Sequence, residues 1–146
     1  MKKSIKVSIF AVIILGVIGA GIGYYLFQEP VKNFADSSAD IVLPAKTLFD
    51  EFIKDENKAI AKYVTDDKTI QIKGKILKIS KNSDGIVTLD IDVGNPDGNI
   101  SCELIKEESS KADKFKAGDV ITIQGQCTGY QGLINPEVKM SRCGIK

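Results

Sequence analysis

The chain has 146 residues, of which 43% are hydrophobic and 27% are charged, a size that fits one small domain and an additional segment. Its formal net charge of +1 includes Lys2, Lys3 and Lys6, and the rest of the chain has 17 basic and 19 acidic residues. A domain with this balance has no general attraction for phosphate backbones. The chain also has no histidine, which removes the commonest general base near neutral pH and the commonest zinc ligand.

A long uncharged segment lies near the N-terminus. No charged residue occurs between Lys6 and Glu29, and the residues between them are almost all aliphatic, glycine or aromatic. About 20 apolar residues in a helix cross a hydrocarbon layer of about 30 Å. Tyr24 and Tyr25 lie at the far end, where amphipathic rings favour the lipid headgroups. The segment therefore predicts a transmembrane helix over residues 7–27.

The charges on either side of this segment predict its orientation. Lysines precede it and acidic residues follow it, which favours a cytoplasmic tail over residues 1–6 in a bacterial cell membrane, with the C-terminal domain periplasmic or extracellular. A cleaved signal peptide is the alternative, although the apolar run is long for one. Gly19 and Gly23 have the spacing of closely paired membrane helices, so a helix–helix dimer through these glycines is a further expectation.

The remainder of the chain predicts a linker, one helix and five strands. Residues 28–43 are mixed and polar, as in a tether, and residues 44–64 have apolar side chains at helical spacing. Beyond them the apolar residues alternate with a period of two. This alternation predicts strands at residues 69–80, 86–93, 99–105, 120–127 and 136–145, with a short helical link at 106–115. The first strand changes phase after Gly74, which indicates a bulge or a sharp bend.

This order of elements predicts a mainly β fold, a five-stranded OB-fold-like barrel over residues 44–146 behind an amphipathic helix. A long first strand that bends at its middle can pair with both halves of a small closed barrel, and a link after the third strand is typical of this fold. An open α+β sheet is the alternative.

Several segments of the sequence resemble the tRNA_anti-like family. They are residues 48–52 (LFDEF), 55–63 (DENKAIAKY), 70–76 (IQIKGKI), 101–104 (SCEL), 118–130 (GDVITIQGQCTGY) and 138–143 (VKMSRC). The resemblance covers about residues 44–145 and implies a bacterial OB-fold domain, often behind an N-terminal membrane or lipoprotein segment. It implies no activity, because the family name records similarity to anticodon-binding OB domains, and no functional residue can be transferred.

A glycine-bounded loop between the fourth and fifth strands contains the candidate ligand-binding residues. Tyr130, Leu133 and Ile134 are apolar or aromatic residues in a loop, where such side chains favour a binding partner. The alternative is that the loop folds back onto the barrel. A second loop, residues 94–98, is expected to contribute to the same contact.

Two cysteines are candidates for a disulfide bond. If the last two strands form a hairpin centred near Asn135, Cys127 and Cys143 lie opposite each other and can oxidise outside the cytoplasm. Closing a loop of about 15 residues stabilises by about 3 kcal/mol in the chain-entropy model. The alternative is two small buried hydrophobic residues. Cys102 is expected to lie in the core.

The sequence therefore predicts a membrane-anchored, non-catalytic binding module for an envelope protein or an extended oligomer. It predicts no catalytic residue, no metal site and no cofactor, since no cysteine or serine has a plausible base. A single-stranded nucleic-acid-binding domain in the cytoplasm is the main alternative, and it is disfavoured because the second and third strands lack aromatic residues for stacking. A cofactor or ion carrier is a third.

Overall fold

The structure, a computed structural model, describes residues 2–27 and 32–146, with side chains from Val12 onward in the first helix. The chain divides after Lys32 into two compact units. The first contains helix α1, Lys2–Phe27, on which Gly19 and Gly23 lie. Among the residues that the structure describes, no helix combines the length and the apolar character needed to cross a membrane. A helix is thus present where one was predicted, and its place in a membrane stays a prediction.

The second unit contains six strands and three helices. The strands are β1 (Ile41–Pro44), β2 (Thr69–Lys81), β3 (Val87–Asp92), β4 (Asn99–Leu104), β5 (Val120–Gln131) and β6 (Glu137–Ile145). The helices are α2 (Ala45–Lys54), α3 (Glu56–Tyr63) and α4 (Lys106–Ser109), with short 3₁₀ segments at Thr65–Asp67 and Ser110–Lys114.

Strands β2 to β6 form a closed barrel. The strand order is β1-β2-β3-β4-β6-β5, and β5 pairs back with β2. Strand β2 pairs with β5 from Thr69 to Lys75 and with β3 from Lys75 to Lys81, so one strand serves both halves. The register with β3 shifts between Ile76 and Lys78. The predicted five-stranded mainly β barrel and the predicted irregularity in its first strand are therefore confirmed.

The alternating side chains of the strands fill the barrel. Ile72, Leu89, Ile100 and Ile123 are each at most 1% exposed, and they pack with α2 into one core. A methyl group on Gly74 would overlap Ile91 and come within 3.0 Å of the Ala45 methyl group. Glycine at this position thus allows the start of α2 to approach β2 closely.

The helix predicted over residues 44–64 is two helices in the structure. Asp55 has extended backbone angles, φ −157° and ψ 91°, and its side chain accepts a hydrogen bond of 3.1 Å from the Lys58 amide. Aspartate favours this N-cap position because its carboxylate satisfies a free amide of the first helical turn. Glu51 then connects the two helices, since it accepts hydrogen bonds of 2.8 Å from both Lys62 and Tyr63.

The described part of the predicted linker packs against the barrel. Phe34 is 1% exposed, and β1 pairs in parallel with β2 along the edge that β3 leaves free. The Gln124 side-chain amide donates to the Phe34 carbonyl at 2.7 Å and to the Ser37 carbonyl. Asp40 exchanges two hydrogen bonds of 2.8 Å with the Thr69 backbone. The sequence predicted a flexible tether here because the partners of these residues lie far along the chain.

We expect Gln124→Met to destabilise the barrel and to release the segment around Phe34. The substitution leaves two carbonyl groups without their buried donor, which costs about 1–3 kcal/mol. Chemical unfolding and limited proteolysis between residues 33 and 40 measure the two effects. The control is Lys73→Met, which introduces the same side chain at an exposed position on β2. Equal stability of the two variants would contradict the assignment.

Candidate functional site: a cleft beside the β5–β6 loop

Three aromatic rings connect the helices to the barrel. Phe52 of α2 lies between Tyr63 of α3, with ring centroids 6.1 Å apart, and Tyr130 of β5, with centroids 5.5 Å apart. The Phe52 and Tyr130 rings are close to parallel, at 22°. Stacked rings at this distance attract each other and exclude water. Tyr130 therefore holds the end of β5 against α2.

A cleft of about 590 Å³ opens beside these rings. Its walls are formed by Phe52, Ile53, Glu56, Tyr130, Gln131, Gly132 and Leu133. Leu133 is 95% exposed and Ile134, next to it, is 88% exposed. The structure thus brings the predicted residues Tyr130 and Leu133 to one cleft, with Ile134 at its margin. Tyr130 folds back onto the barrel, whereas Leu133 and Ile134 do not.

Gly132 allows the loop to turn over Tyr130. A methyl group at this position would lie 2.7 Å from Cε1 of Tyr130 and 2.9 Å from its hydroxyl oxygen. Such distances are shorter than van der Waals contact, so a side chain would displace the ring or the loop. The glycine thereby fixes where Leu133 leaves the barrel surface.

One carboxylate lies in the cleft wall. Glu56 is in the first turn of α3, where the helix dipole favours a negative charge. Burial raises the pKa of the Tyr130 phenol, and the nearby Glu56 carboxylate raises it further. Tyr130 therefore stays protonated at neutral pH, and the charge of this wall is that of Glu56.

The second predicted loop adjoins the first. Gly98 packs so tightly against the Phe49 ring that any side chain there would overlap it, and its Cβ position is 3.0 Å from the Pro136 carbonyl oxygen. The Asn99 amide donates to the same carbonyl at 3.2 Å. The loop at residues 94–98 thus lies beside the end of the β5–β6 loop, and its contribution to a common ligand contact stays a prediction.

The outer face of β3, β4 and β6 is acidic and lacks aromatic residues. OB-folds that bind single strands use this face and stack bases on it. Partial burial raises the pKa of Asp90, and the Glu137 carboxylate raises it further. A shallow groove of about 340 Å³ on this face also contains Glu103 and Glu137, with Lys139 as its cation. Carboxylates thus outnumber cations on this face, and it has no aromatic ring on which a base could stack.

The cysteines differ from the sequence expectation. All three are free and buried. Cys127 lies opposite Met140 instead of Cys143, because the pairing of Gln131 with Glu137 centres the hairpin on Ile134 and the register shifts between Gly129 and Cys127. Cys143 faces Gly125 and contacts Cys102, whose pKa is raised well above its ordinary value by a hydrogen bond to Cys143 and by burial. The expectation that Cys102 is a core residue agrees with its burial.

Sequence reasoning missed the helical wall of the cleft. The apolar side chains of the predicted helix over residues 44–64 include Ile53, which is 50% exposed one residue before α2 ends at Lys54. Asp55 followed by Glu56 is the signal that could have located the break, since aspartate favours N-caps and glutamate the first turn.

The comparison with family models matches residues 1–142 to tRNA_anti-like. The chain belongs to the tRNA_anti-like family. The match is longer than the resemblance found over residues 44–145, because it includes the N-terminal segment. The comparison with curated proteins finds no match.

Three solved structures are similar to this tRNA_anti-like chain, and the first of them has the same fold. A candidate nucleic acid-binding lipoprotein from Klebsiella pneumoniae is 20% identical, with a TM-score of 0.57 over 72% of this chain and 90% of that chain. Asparaginyl-tRNA synthetase from Entamoeba histolytica is 17% identical, with a TM-score of 0.39 over 55% of this chain and 21% of its own. The S. pombe Stn1-ten1 complex is 20% identical, with a TM-score of 0.37 over 53% of this chain and 57% of the matched chain. At these identities the likeness concerns the fold alone.

We expect the native thiols of this family member to be unreactive and its stability to fall at alkaline pH. Burial raises the pKa of Cys127 from its ordinary value near 9 to about 12. The unfolded chain therefore loses this proton first, so the stability present below pH 9 is lost as the pH rises towards 12. Thiol titration and unfolding at several pH values measure both effects.

Cys127→Ala is the matched variant, because it removes one buried thiol and should reduce the alkaline loss of stability, to which the raised pKa of Cys102 also contributes. Three reactive thiols are expected after denaturation without reductant. A count of one would mean that two cysteines are bridged, and rapid reaction of the folded protein would contradict their burial.

Proposed function

We propose that this domain is a non-catalytic binding module that holds a protein segment in the cleft beside the β5–β6 loop. One observation supports this most directly. Leu133 and Ile134 are the two most exposed large apolar side chains in the described part of the barrel unit. They lie next to a cleft whose floor is the Phe52–Tyr130 stack. Adjacent apolar groups beside a concave aromatic surface are typical of protein contacts.

The energetics favour a partner that covers this loop. Burying a leucine or isoleucine side chain contributes about 1.5–3 kcal/mol. Two such side chains on a loop positioned by a rigid barrel can supply the central contact of an interface. The stack of Tyr130 on Phe52 fixes the base of the loop, so less conformational entropy is lost on binding.

The cleft wall supports a binding role over a catalytic one. Its titratable groups are the Glu56 carboxylate and the Tyr130 phenol, whose pKa is raised further from neutrality. Neither is paired with a nucleophile among the residues that line the cleft. General acid–base catalysis favours a group whose pKa lies near the working pH, and the Tyr130 shift is in the opposite direction.

We also propose that α1 tethers this module to a bacterial membrane with the barrel outside the cytoplasm. The support is the sequence of residues 7–28, which is uncharged, and the three lysines before it. The helix Lys2–Phe27 presents exposed apolar side chains from Val12 to Phe27. A helix dimer through Gly19 and Gly23 remains part of this proposal.

Single-stranded nucleic acid is the second candidate ligand. The favouring observation is that the similar Klebsiella pneumoniae structure is described as a candidate nucleic acid-binding lipoprotein. The acidic outer face of β3, β4 and β6 argues against it. Oligonucleotide binding that weakens steeply with salt would support this second function and count against the first.

Photocrosslinking tests the proposed contact. We expect a photoreactive amino acid at position 133, in the full chain expressed in bacterial cells, to give a discrete crosslinked protein band. The same amino acid at exposed position 84, in the β2–β3 turn, is the control and should give none. Ile134→Asp should weaken the band at position 133, because a charge opposes desolvation of the interface. Identical band patterns from both positions would refute a specific contact at the loop.

A C-terminal reporter tests the location. Alkaline phosphatase fused after Lys146 is active only outside the cytoplasm, so we expect an active fusion that stays with the membrane fraction. Replacing Lys2, Lys3 and Lys6 by glutamate should reduce the active fraction, because these charges hold the N-terminus inside. An inactive wild-type fusion would contradict the proposed topology, and an active soluble fusion would indicate cleavage of the segment.

A further inference from the structure

Two carboxylates lie on elements that adjoin the apolar loop. Glu56 lines the cleft, and Asp97 lies in the neighbouring turn, whose Gly98 packs against Phe49 and approaches the Pro136 carbonyl. Within the described residues, neither Glu56 nor Asp97 forms an ion pair with a lysine or arginine. Glu137, at the start of β6, has Lys139 at 3.7 Å as its partner. The elements beside Leu133 and Ile134 therefore include two carboxylates that have no such partner.

We propose that the occupant of the cleft is a basic–apolar protein segment, in which an apolar side chain packs against Leu133 and a lysine or arginine next to it faces Glu56. The inference rests on the proposed function and adds the chemistry of the partner. A cation that faces Glu56 meets a carboxylate that forms no ion pair with the described residues, and the same holds for Asp97. Complementary charges at the margin of an apolar contact select the partner and accelerate its association.

The same charges disfavour the other occupants. A phosphate backbone or an acidic segment would bring like charges together at this margin, which costs free energy on association. A second copy of this chain would present the same acidic margin to itself in a two-fold contact. The basic segment is the occupant that complements both the carboxylates and the apolar side chains of the loop.

Three synthetic peptides of about 15 residues test the proposal with the full chain in phosphatidylcholine nanodiscs. All contain the same central Leu-Ile-Leu, and the flanking positions are lysine, glutamine or glutamate. We expect the lysine peptide to bind about three- to tenfold more tightly than the glutamine peptide, and the glutamate peptide to bind most weakly. The preference should shrink at high salt because the charges are exposed.

Variants show which carboxylates cause the preference for the lysine peptide. Glu56→Gln should lower the lysine-to-glutamine affinity ratio at least about twofold, and adding Asp97→Asn should bring it close to one. The control is Glu107→Gln, an exposed acid on α4, where Glu108 contacts the Ile145 end of β6, away from the loop. Empty nanodiscs correct for peptides that bind lipid.

The outcomes separate this inference from the proposed function. Equal affinity for the lysine and glutamine peptides, or an unchanged ratio in the double variant, overturns the charge proposal alone. Failure of all three peptides to bind, or peptide binding that Leu133→Asp leaves unchanged, overturns both. Tighter binding of a single-stranded oligonucleotide, or self-association that Leu133→Asp abolishes, overturns the choice of occupant.

Discussion

The closed barrel depends on one strand. Strand β2 is long enough for its first half to pair with β5 and its second half to pair with β3, and Lys75 is paired on both sides. A straight strand could not do this in a small barrel, so the register shift after Ile76 and the missing side chain at Gly74 are both required. Closure pairs nearly all strand edges within the barrel unit, which protects the sheet from pairing with other chains.

Closure also fixes what covers β6 at its two ends. Near its start, Val138 pairs with Tyr130, whose ring meets Phe52 of α2. At its end, Gly144 lies so close to Ala35 that a side chain there would overlap it. Glu108 of α4 accepts a hydrogen bond of 3.2 Å from the neighbouring Ile145 amide. The contact between Tyr130 and Phe52 leaves a cleft at the start of β6. At the end of β6, Ala35 and Glu108 of the same chain fill the space.

The strands could be predicted because the alternating pattern that defines each strand lies within a few consecutive residues. Val87, Leu89 and Ile91 alternate with polar residues, and a period of two fixes which side faces the core. The buried segment around Phe34 could not be predicted, because Gln124, which holds it, lies 90 residues away. The disulfide expectation assumed a regular hairpin centred near Asn135. The hairpin is instead centred on Ile134, and one register shift between Gly129 and Cys127 places Met140 opposite Cys127. For the candidate site, the loop could be predicted from its glycines. The helical wall could not, because the apolar residues continue at helical spacing through the break between α2 and α3 at Asp55.

The geometry of the loop explains why two of its apolar side chains remain exposed. Tyr130 occupies the space against Phe52, and Gly132 turns the chain over the Tyr130 ring. Leu133 and Ile134 follow immediately, and the barrel beneath them is already filled by paired strands and by the aromatic row. The stacked Tyr130 ring therefore positions the loop, and the Leu133 and Ile134 side chains lie outside the core. Contact with another molecule would remove both from water without unfolding the hairpin, and this supports the proposal that the site lies at this loop instead of on the acidic outer face of the sheet.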